Sequence, residues 1–298
     1  MSPIKVGVVG LSVDGWFKNA HLPALQALSN SYTLTAAATS RQESADQVAE
    51  HYHIKSFGGS NSAEQLAQDA DVNMVVVSVK TPLHKQIAMH AVNAKKAVFV
   101  EWPLGIGLQE AIELAEAAKA NGIRTMIGLQ ARQDLAIRKA KQLLDQKKIG
   151  NILSTNLIGY GGSWGAQVQQ RDAYTLDEKN GTTMITVPFG HFVDALVYLL
   201  GEFDSLHAYR ATTRTGSTIA ETGEKIKSTA PDQLVVQGQL KSGALASVHY
   251  KGGAQVPGTE GLVWEIEGDE GIMTFKAAGV GHVQASSPRT NVSPSWLH

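Results

Sequence analysis

The chain has 298 residues, of which 43% are hydrophobic and 18% charged, and its formal net charge at pH 7 is -1. This composition is ordinary for a soluble globular protein, and the length predicts roughly two domains. The sequence has no long basic run, which argues against direct nucleic-acid binding through phosphate contacts. It has no cysteine, which excludes disulfides, thiolate nucleophiles and thiolate metal sites.

The ends and hydropathy of the chain predict its compartment. The first residues lead directly into an apolar strand pattern, without the features of a signal peptide. No uninterrupted apolar run approaches the ~20 residues that cross a bilayer. We therefore expect a cytoplasmic protein without a membrane partner, or a nuclear one if its role is regulatory. His51 and His53 supply only two histidine ligands, whereas a catalytic zinc needs three protein ligands, so we predict no metal site.

The first βα unit predicts a dinucleotide site. A β-branched strand at 4–9 is followed by a glycine turn and by a helical pattern in which Leu22, Leu25 and Leu28 share a face. The turn matches the G-x-G-x-x-G fingerprint of nucleotide-binding domains, except that its middle glycine is Ser12. An ordinary βα turn would give a similar pattern. The cofactor contacts predicted in this stretch are Gly10, Leu11, Ser12, Asp14, Gly15 and Trp16.

The second strand, predicted at 32–39, ends in Ser40 and Arg41. An acidic residue at this position binds the ribose hydroxyls of NAD, whereas an arginine accommodates the 2′-phosphate of NADP. The sequence therefore favours NADP, with NAD as the alternative. A second interpretation is that both residues simply begin the next loop.

Strands and helices alternate as far as residue 128, which predicts a doubly wound parallel sheet. Helices are expected at 42–52, at 62–70 with Ser62 as the N-cap, at 84–94 and at 108–120, and strands at 72–79, 97–100 and 124–128. Ligands of such sheets bind at the carboxyl ends of the strands. Five clusters are predicted to meet there: residues 10–14, 40–41, 79–84, 101–103 and 130–132.

The pattern changes after residue 131. Helices are predicted at 135–146 and 187–200, a long loop at 161–180, and an irregular tail at 286–298. Strands are predicted at 151–160, 205–213, 233–240, 244–251, 262–267 and 271–276. The fold class is therefore α/β, with an N-terminal Rossmann domain at 1–130 and a C-terminal α+β domain at 131–298 that has an open, largely antiparallel sheet.

The order of motifs along the chain resembles a known family. These motifs are GVVG, TPLH, VFVEWPL, IGLQAR, KKIGNI and FGHFVDALVYLLG. Together they resemble the glucose–fructose oxidoreductase, inositol dehydrogenase and MocA (Gfo/Idh/MocA) family, and most closely the branch that contains the fungal galactose-regulon co-repressor. The resemblance implies hydride transfer between a nicotinamide cofactor and a sugar-like or other cyclic small molecule. It also implies a second domain that binds the substrate and often forms the oligomer interface, for which we expect a homodimer.

The resemblance assigns residues to the site. The family signature Glu-Lys-Pro is present as Glu101 and Pro103, with Trp102 in place of the lysine. His191 and Asp194 match the family residues on the later helix, but Val187 and Phe189 stand where it has Asp and Gly. Trp102 could stack on the nicotinamide or a substrate ring, or it could fill the core. His191 is the candidate for proton transfer, or a buried histidine that bonds the backbone.

Other polar residues have two interpretations each. Asp194 could orient His191 or pair elsewhere, Lys80 could offer a cation to the site or be a solvated lysine, and Arg132 could position substrate or brace the two domains. For His84, capping and packing are favoured over catalysis. The segment 161–164 could cover a substrate or be a flexible loop. The remaining predicted cofactor contacts are Val79, Lys80, His84, Glu101, Trp102 and Gln130.

Two functions remain open from the sequence, besides a non-redox enzyme that keeps the cofactor for structural purposes. The first is an NADP(H)-dependent oxidoreductase. The alternative is a non-catalytic, dinucleotide-sensing co-regulator that binds a protein partner, because the family lysine is lost at Trp102.

Overall fold

The computed structural model describes residues 2–277 and the backbone of residues 291–295. The chain folds into two compact units, Met1–Gly128 and Leu129–His298. Each unit has its own sheet and its own hydrophobic core.

The first unit is built on a six-stranded sheet in the order β3-β2-β1-β4-β5-β6. Every neighbouring pair is parallel. This is the strand order of a doubly wound Rossmann sheet, so the predicted fold is confirmed. Its strands are β1 (Ile4–Val9), β2 (Tyr32–Thr39), β3 (Lys55–Gly58), β4 (Met74–Val77), β5 (Ala97–Val100) and β6 (Thr125–Ile127). The sequence analysis missed β3, which is short and has no fully buried residue.

Helices cover both faces of this sheet. Phe17, Leu22 and Val48 bring α1 (Trp16–Ala20), α2 (Leu22–Ala27) and α3 (Gln42–Tyr52) against one face. Leu66, Ala91 and Leu114 bring α4 (Ser62–Gln68), α5 (His84–Asn93) and α6 (Leu108–Ala120) against the other. Strands covered on both faces need apolar side chains on both, which explains the continuous valine run of β4.

Two local predictions in this unit were wrong. The predicted first helix is broken at His21, because Pro23 lacks the N–H that would continue the helix through that turn. Leu28 consequently lies outside the buried face and is 52% exposed. Ser62 is not an N-cap: Asn61 holds that position, and the Ser62 hydroxyl instead donates to the carbonyl of Thr39 at 2.9 Å.

The second unit has a seven-stranded sheet in the order β16-β15-β14-β7-β13-β12-β9. Only the β7–β13 pair is parallel, so the sheet is largely antiparallel as predicted. The strands are β7 (Ile152–Tyr160), β9 (Phe203–Ala211), β12 (Gln233–Leu240), β13 (Leu245–Lys251), β14 (Leu262–Gly268), β15 (Gly271–Ala277) and β16 (Asn291–Ser295). The irregular tail predicted at 286–298 is wrong for 291–295, and its other residues lie outside the described part of the chain.

A smaller sheet of β8 (Gln167–Val168), β10 (Gly216–Ile219) and β11 (Lys225–Lys227) was also missed. Its strands are two to four residues long, which is too short for a clear alternating pattern. Because β8 and short 3₁₀ turns lie within 161–180, that segment is not the continuous loop that was predicted.

Helices α7 (Leu135–Asp145) and α8 (Gly190–Leu200) pack on one face of the large sheet. Trp264 is fully buried at the centre of this core, 5.0 Å from the ring of Phe192 and 4.8 Å from that of Phe275. The segment Glu178–Leu200 is long and apolar enough to cross a membrane, although 50% of its 18-residue apolar stretch is buried in the fold. Core helices of soluble proteins meet the same criterion, so this is weak evidence for a span.

Candidate functional site

Gly10 joins two strand ends at the carboxyl edge of the six-stranded sheet. Its φ of +101° is left-handed, and a Cβ at this position would lie 2.0 Å from the carbonyl oxygen of Ser78. Its N–H donates to the carbonyl of Ala38, in β2, at 3.0 Å. Only glycine fits here, and it brings the chain after β1 against the chain after β4.

The rest of the glycine loop is compact. A Cβ on Gly15 would lie 2.4 Å from the Ser12 hydroxyl, so Ser12 occupies the space that Gly15 leaves. Leu11 is fully buried, so only its backbone can reach a ligand, whereas Asp14 is exposed and Trp16 is 65% exposed. The helix after the loop has only five residues. An anion at this loop would therefore be bound mainly by backbone N–H groups, because so short a helix contributes only a small dipole.

The end of β2 presents Ser40 and Arg41 to solvent. The hydroxyl of Thr39 donates to the carbonyl of Arg41 at 2.8 Å, and the N–H of Gly59 donates to the carbonyl of Thr39 at 3.1 Å. These bonds fix the backbone, so that the exposed guanidinium is carried by an ordered strand end.

His84 braces the ends of β4 and β5. Its ring is 1% exposed, with Nδ1 2.7 Å from the carbonyl oxygen of Pro103 and Nε2 2.9 Å from that of Val79. Because both nitrogens face backbone carbonyls, neither is available to a cofactor. This geometry contradicts the predicted contact between the His84 side chain and the cofactor, and it supports the predicted packing role.

Glu101 has a partner that the sequence analysis missed. Its carboxylate oxygen Oε1 lies 2.6 Å from Nε2 of His21, at the break between α1 and α2. The His21 ring packs against Phe17 and edge-on against Phe99, with centroid distances of 5.4 and 5.5 Å. The only signal in the sequence was a histidine two residues before a proline, which does not identify a distant partner.

Trp102 and Lys80 follow β5 and β4 respectively. Trp102 is half-buried, and Lys80 is exposed. The clusters that the sequence placed at the strand ends of the first unit thus lie at one edge of one parallel sheet. The fifth cluster belongs to the second unit, where Gln130 and Arg132 lie on a 3₁₀ turn.

In the second unit, His191 and Asp194 lie on α8. His191 is buried, at 6% exposure. Asp194 binds Arg132 through both carboxylate oxygens, with Nε–Oδ2 at 2.9 Å and Nη2–Oδ1 at 2.5 Å. This pairing raises the pKa of Arg132. Of the two interpretations of Asp194, the structure thus supports pairing elsewhere, and Arg132 braces its own unit.

A π-turn precedes α8. Pro188 has no N–H to donate to the carbonyl of Met184, and the N–H of Phe189 donates to it instead at 3.1 Å. Helices with such a turn carry one extra residue, and these turns are frequent at functional sites. Pro188 therefore sets the rotation of the helix that carries His191.

The segment 161–164 is anchored. The N–H of Gly162 donates to the carbonyl of Gly253, and the N–H of Gly253 donates to that of Ser163. Trp164, at a left-handed φ of 61°, is 7% exposed and donates its indole N–H to the carbonyl of Thr175. The flexible-loop interpretation is therefore wrong, because the tryptophan is part of the core.

An open groove of about 610 Å³ lies beside the glycine loop, between Val13, Asp14 and α3. Burial raises the pKa of the neighbouring Tyr52, and the carboxylate of Asp14 raises it further. No group of three metal-ligating side chains occurs among the described residues.

Comparison with known proteins extends over both units. Residues 4–129 match the model of an oxidoreductase family with an NAD-binding Rossmann fold, and residues 136–277 match that of the Gal80p C-terminal domain. The chain is 32% identical to dehydrogenase aclE of Aspergillus oryzae over 80% of this chain and 67% of that protein. It is 33% identical to the galactose/lactose metabolism regulatory protein GAL80 of Kluyveromyces lactis over 96% of this chain and 66% of that protein.

Solved structures show the same fold. A super-repressor mutant of Gal80p from Saccharomyces cerevisiae superposes with a TM-score of 0.88 at 27% identity, over 98% of this chain and 78% of that chain. The chain spans about two thirds of the length of the two curated relatives. Its relatives thus include a dehydrogenase and transcriptional regulators on one fold.

Proposed function

We propose that this chain, which belongs to the Gfo/Idh/MocA family, binds NADP(H) at the carboxyl edge of its parallel sheet and acts as an oxidoreductase on a sugar-like or other cyclic small molecule. The observation that carries the proposal is the turn at Gly10, where no Cβ fits against the Ser78 carbonyl. Such a turn allows the close backbone approach that a pyrophosphate requires. The family model supports a nicotinamide dinucleotide in general.

The residues present fit a dinucleotide. The backbone of the loop from Gly10 to Gly15 would hold the pyrophosphate, and the exposed guanidinium of Arg41 would hold a 2′-phosphate, which favours NADP over NAD. Trp102 would offer a flat surface beside the nicotinamide, since its indole has no acid–base chemistry. A bound nicotinamide supplies the hydride chemistry.

The proton chemistry then falls to side chains of this chain. We propose that an imidazole nitrogen of His191 accepts the proton of the substrate hydroxyl, because imidazole titrates near neutral pH. The ammonium group of Lys80 assists by stabilising negative charge on the substrate oxygen. Asp194 supports the site indirectly: it lies on the same helix as His191 and binds Arg132, which holds the turn at 130–133 against that helix.

Cofactor titration followed by a substrate panel tests this function. Binding of NADPH is measured by quenching of tryptophan fluorescence, and turnover by the absorbance of reduced nicotinamide with polyols, sugars and sugar acids. We expect NADPH binding and turnover with at least one cyclic compound. The proposal is refuted if the chain binds neither NADPH nor NADH.

A second function, a dinucleotide-sensing co-regulator without turnover, is favoured by Trp102 and Val187, which replace the family lysine and aspartate. The Trp102→Lys and Val187→Asp double variant distinguishes the two functions. If the wild-type chain binds NADPH but turns over no compound, and the double variant gains no activity, the regulatory function is favoured. Turnover by the wild-type chain would contradict it.

Two further proposals concern the quaternary state of the protein and its location in the cell. We propose a homodimer formed through the second unit, in a cytoplasmic protein. The regulatory alternative adds a protein partner and a nuclear location.

A further inference from the structure

Two histidines hold the turn after β5 from opposite faces of the parallel sheet. His84, at the start of α5, bonds the carbonyl of Pro103, and His21, between α1 and α2, bonds the carboxylate of Glu101. Trp102 lies between the two anchored residues. The side chain of Glu101 and the backbone carbonyl of Pro103, on either side of Trp102, are thus bonded to helices on opposite faces of the sheet.

The His21 contact differs from the His84 contact in what it connects. His84 joins two neighbouring strand ends, because its other nitrogen faces the carbonyl of Val79. His21 instead ends α1, the helix that begins directly after Gly15. The bond from Nε2 to Glu101 Oε1 therefore ties the glycine loop, through five residues of helix, to the turn that carries Trp102.

Burial gives this bond a defined geometry. The side chains of His21 and Glu101 are 28% and 17% exposed, and the imidazole is packed by Phe17 and Phe99. The N–H of Glu101 also donates to the carbonyl of Val77 at 3.2 Å. A short hydrogen bond to a carboxylate, away from bulk water, is stronger than one between neutral groups in solvent.

We infer that His21 is a positioning residue that sets the separation between the two ends of the dinucleotide site. The inference rests on the proposed function, in which the glycine loop holds the pyrophosphate and the turn at Trp102 adjoins the nicotinamide. A ligand that touches both ends depends on this tie. A ligand that lacks the nicotinamide does not.

The test compares NADPH with 2′-phospho-ADP-ribose, which has the 2′-phosphorylated adenosine and the pyrophosphate but no nicotinamide. Their affinities are measured by calorimetry for the wild-type chain, His21→Leu and His21→Gln, with His90→Leu on α5 as the control. We expect His21→Leu to weaken NADPH about tenfold, which is the effect of one charge-assisted hydrogen bond, and to change 2′-phospho-ADP-ribose less than about twofold. His21→Gln keeps a donor of similar reach and should restore NADPH binding.

The outcomes separate the inference from the function beneath it. If the wild-type chain binds neither ligand, the proposed function fails. If it binds both, and His21→Leu weakens both equally or neither, the inference alone is overturned, because the effect is then general or absent. Should His21→Leu fail to fold, His21→Asn keeps a polar side chain that is too short to reach Glu101, and the same split between the ligands is expected.

Discussion

At the scale of single residues, Gly10 is a position of the predicted site that admits no side chain. Gly10→Ala places a Cβ in a left-handed backbone conformation, which costs about 1–2 kcal/mol, and against a backbone oxygen 2.0 Å away. The loop must therefore move. We expect a lower free energy of unfolding, measured by urea denaturation, and loss of NADPH binding.

Gly107→Ala is the control for that variant, because a Cβ there meets nothing within 4 Å and its φ of -173° suits any residue. It should bind NADPH like the wild-type chain. Normal binding by Gly10→Ala would show that the loop at β1 does not hold the cofactor.

Arg41 decides the proposed preference for NADP. Its guanidinium is exposed at the carboxyl end of β2, where the 2′-phosphate of a bound NADP would lie. Charge-assisted hydrogen bonds of this kind contribute about 1.5–3 kcal/mol. We therefore expect Arg41→Ala to weaken NADPH by about 10–100-fold and to leave NADH nearly unchanged, as measured by fluorescence titration.

The matched control is Arg124→Ala. Arg124 is also exposed but precedes β6, at the amino edge of the same sheet. It should bind both cofactors like the wild-type chain. Equal affinities of the wild-type chain for NADPH and NADH would contradict the assignment of Arg41.

The candidate site was predictable only in part from single residues. Gly10 and Arg41 could be found because their roles follow from local pattern: a glycine after a strand, and a cation at the next strand end. His21 could not, because its partner Glu101 is 80 positions away and only the parallel sheet brings them together. The role of His84 was anticipated, but its two carbonyl partners require knowledge of the turn at Pro103.

At the scale of elements, the register of α8 depends on Pro188. Pro188→Ala restores an N–H that can donate to Met184 in place of Phe189, and the π-turn can then close to an α-turn. Removing the extra residue would rotate His191 by about 100° relative to the preceding segment. Misplacement of a reacting group by about 1 Å can cost about 100-fold in rate, so we expect kcat/KM to fall by about that factor.

The readout that does not need turnover is the imidazole NMR signal of His191, which should shift in Pro188→Ala. Pro257→Ala, in an exposed turn of the same unit, is the control and should leave the signal in place. An unchanged His191 signal in Pro188→Ala would mean that packing of α8, and not the proline, sets the register.

The elements also show where sequence patterns fail. Strongly apolar elements were found: α6 was predicted with its exact bounds, and the valine run of β4 was found although its predicted bounds, 72–79, extend two residues beyond the strand at each end. The strands β3, β8, β10 and β11 were not found, because they have two to four residues and lack a continuous apolar run. The first helix was predicted too long, since its apolar spacing continues through Pro23 although the backbone hydrogen bonds do not.

At the scale of the whole molecule, the two units bear on different parts of the proposed function. The first unit keeps the glycine loop and strand-end geometry of its family, which supports a dinucleotide. In the second, the sequence resemblance matches His191 to the family histidine and predicts that Val187 and Phe189 replace the family Asp and Gly. The choice between enzyme and regulator is therefore a question about the second unit and Trp102, whereas cofactor binding is a question about the first.

The large sheet of the second unit has a face that the described helices, α7 and α8, do not cover. Register places Tyr209, Val235, His249, Ile158 and Val263 side by side across five strands. Tyr209 is 82% exposed and Ile158 is 50% exposed. Burial and the nearby Lys251 lower the pKa of His249, which favours its neutral form. This uncharged stripe is the surface through which we propose that the homodimer forms.

Ile158→Glu places a carboxylate within that stripe, next to His249, where pairing would remove it from water. We expect the variant to be monomeric by light scattering at concentrations where the wild-type chain is a dimer. Leu28→Glu, which changes a 52% exposed leucine of the first unit, is the control and should remain dimeric. Because the fold lowers the pKa of His249 from its ordinary value of 6.5, the dimer should hold at pH 6.5 and above. It should weaken only as the pH falls through the lowered pKa. A wild-type chain that is monomeric at every concentration would refute this interface.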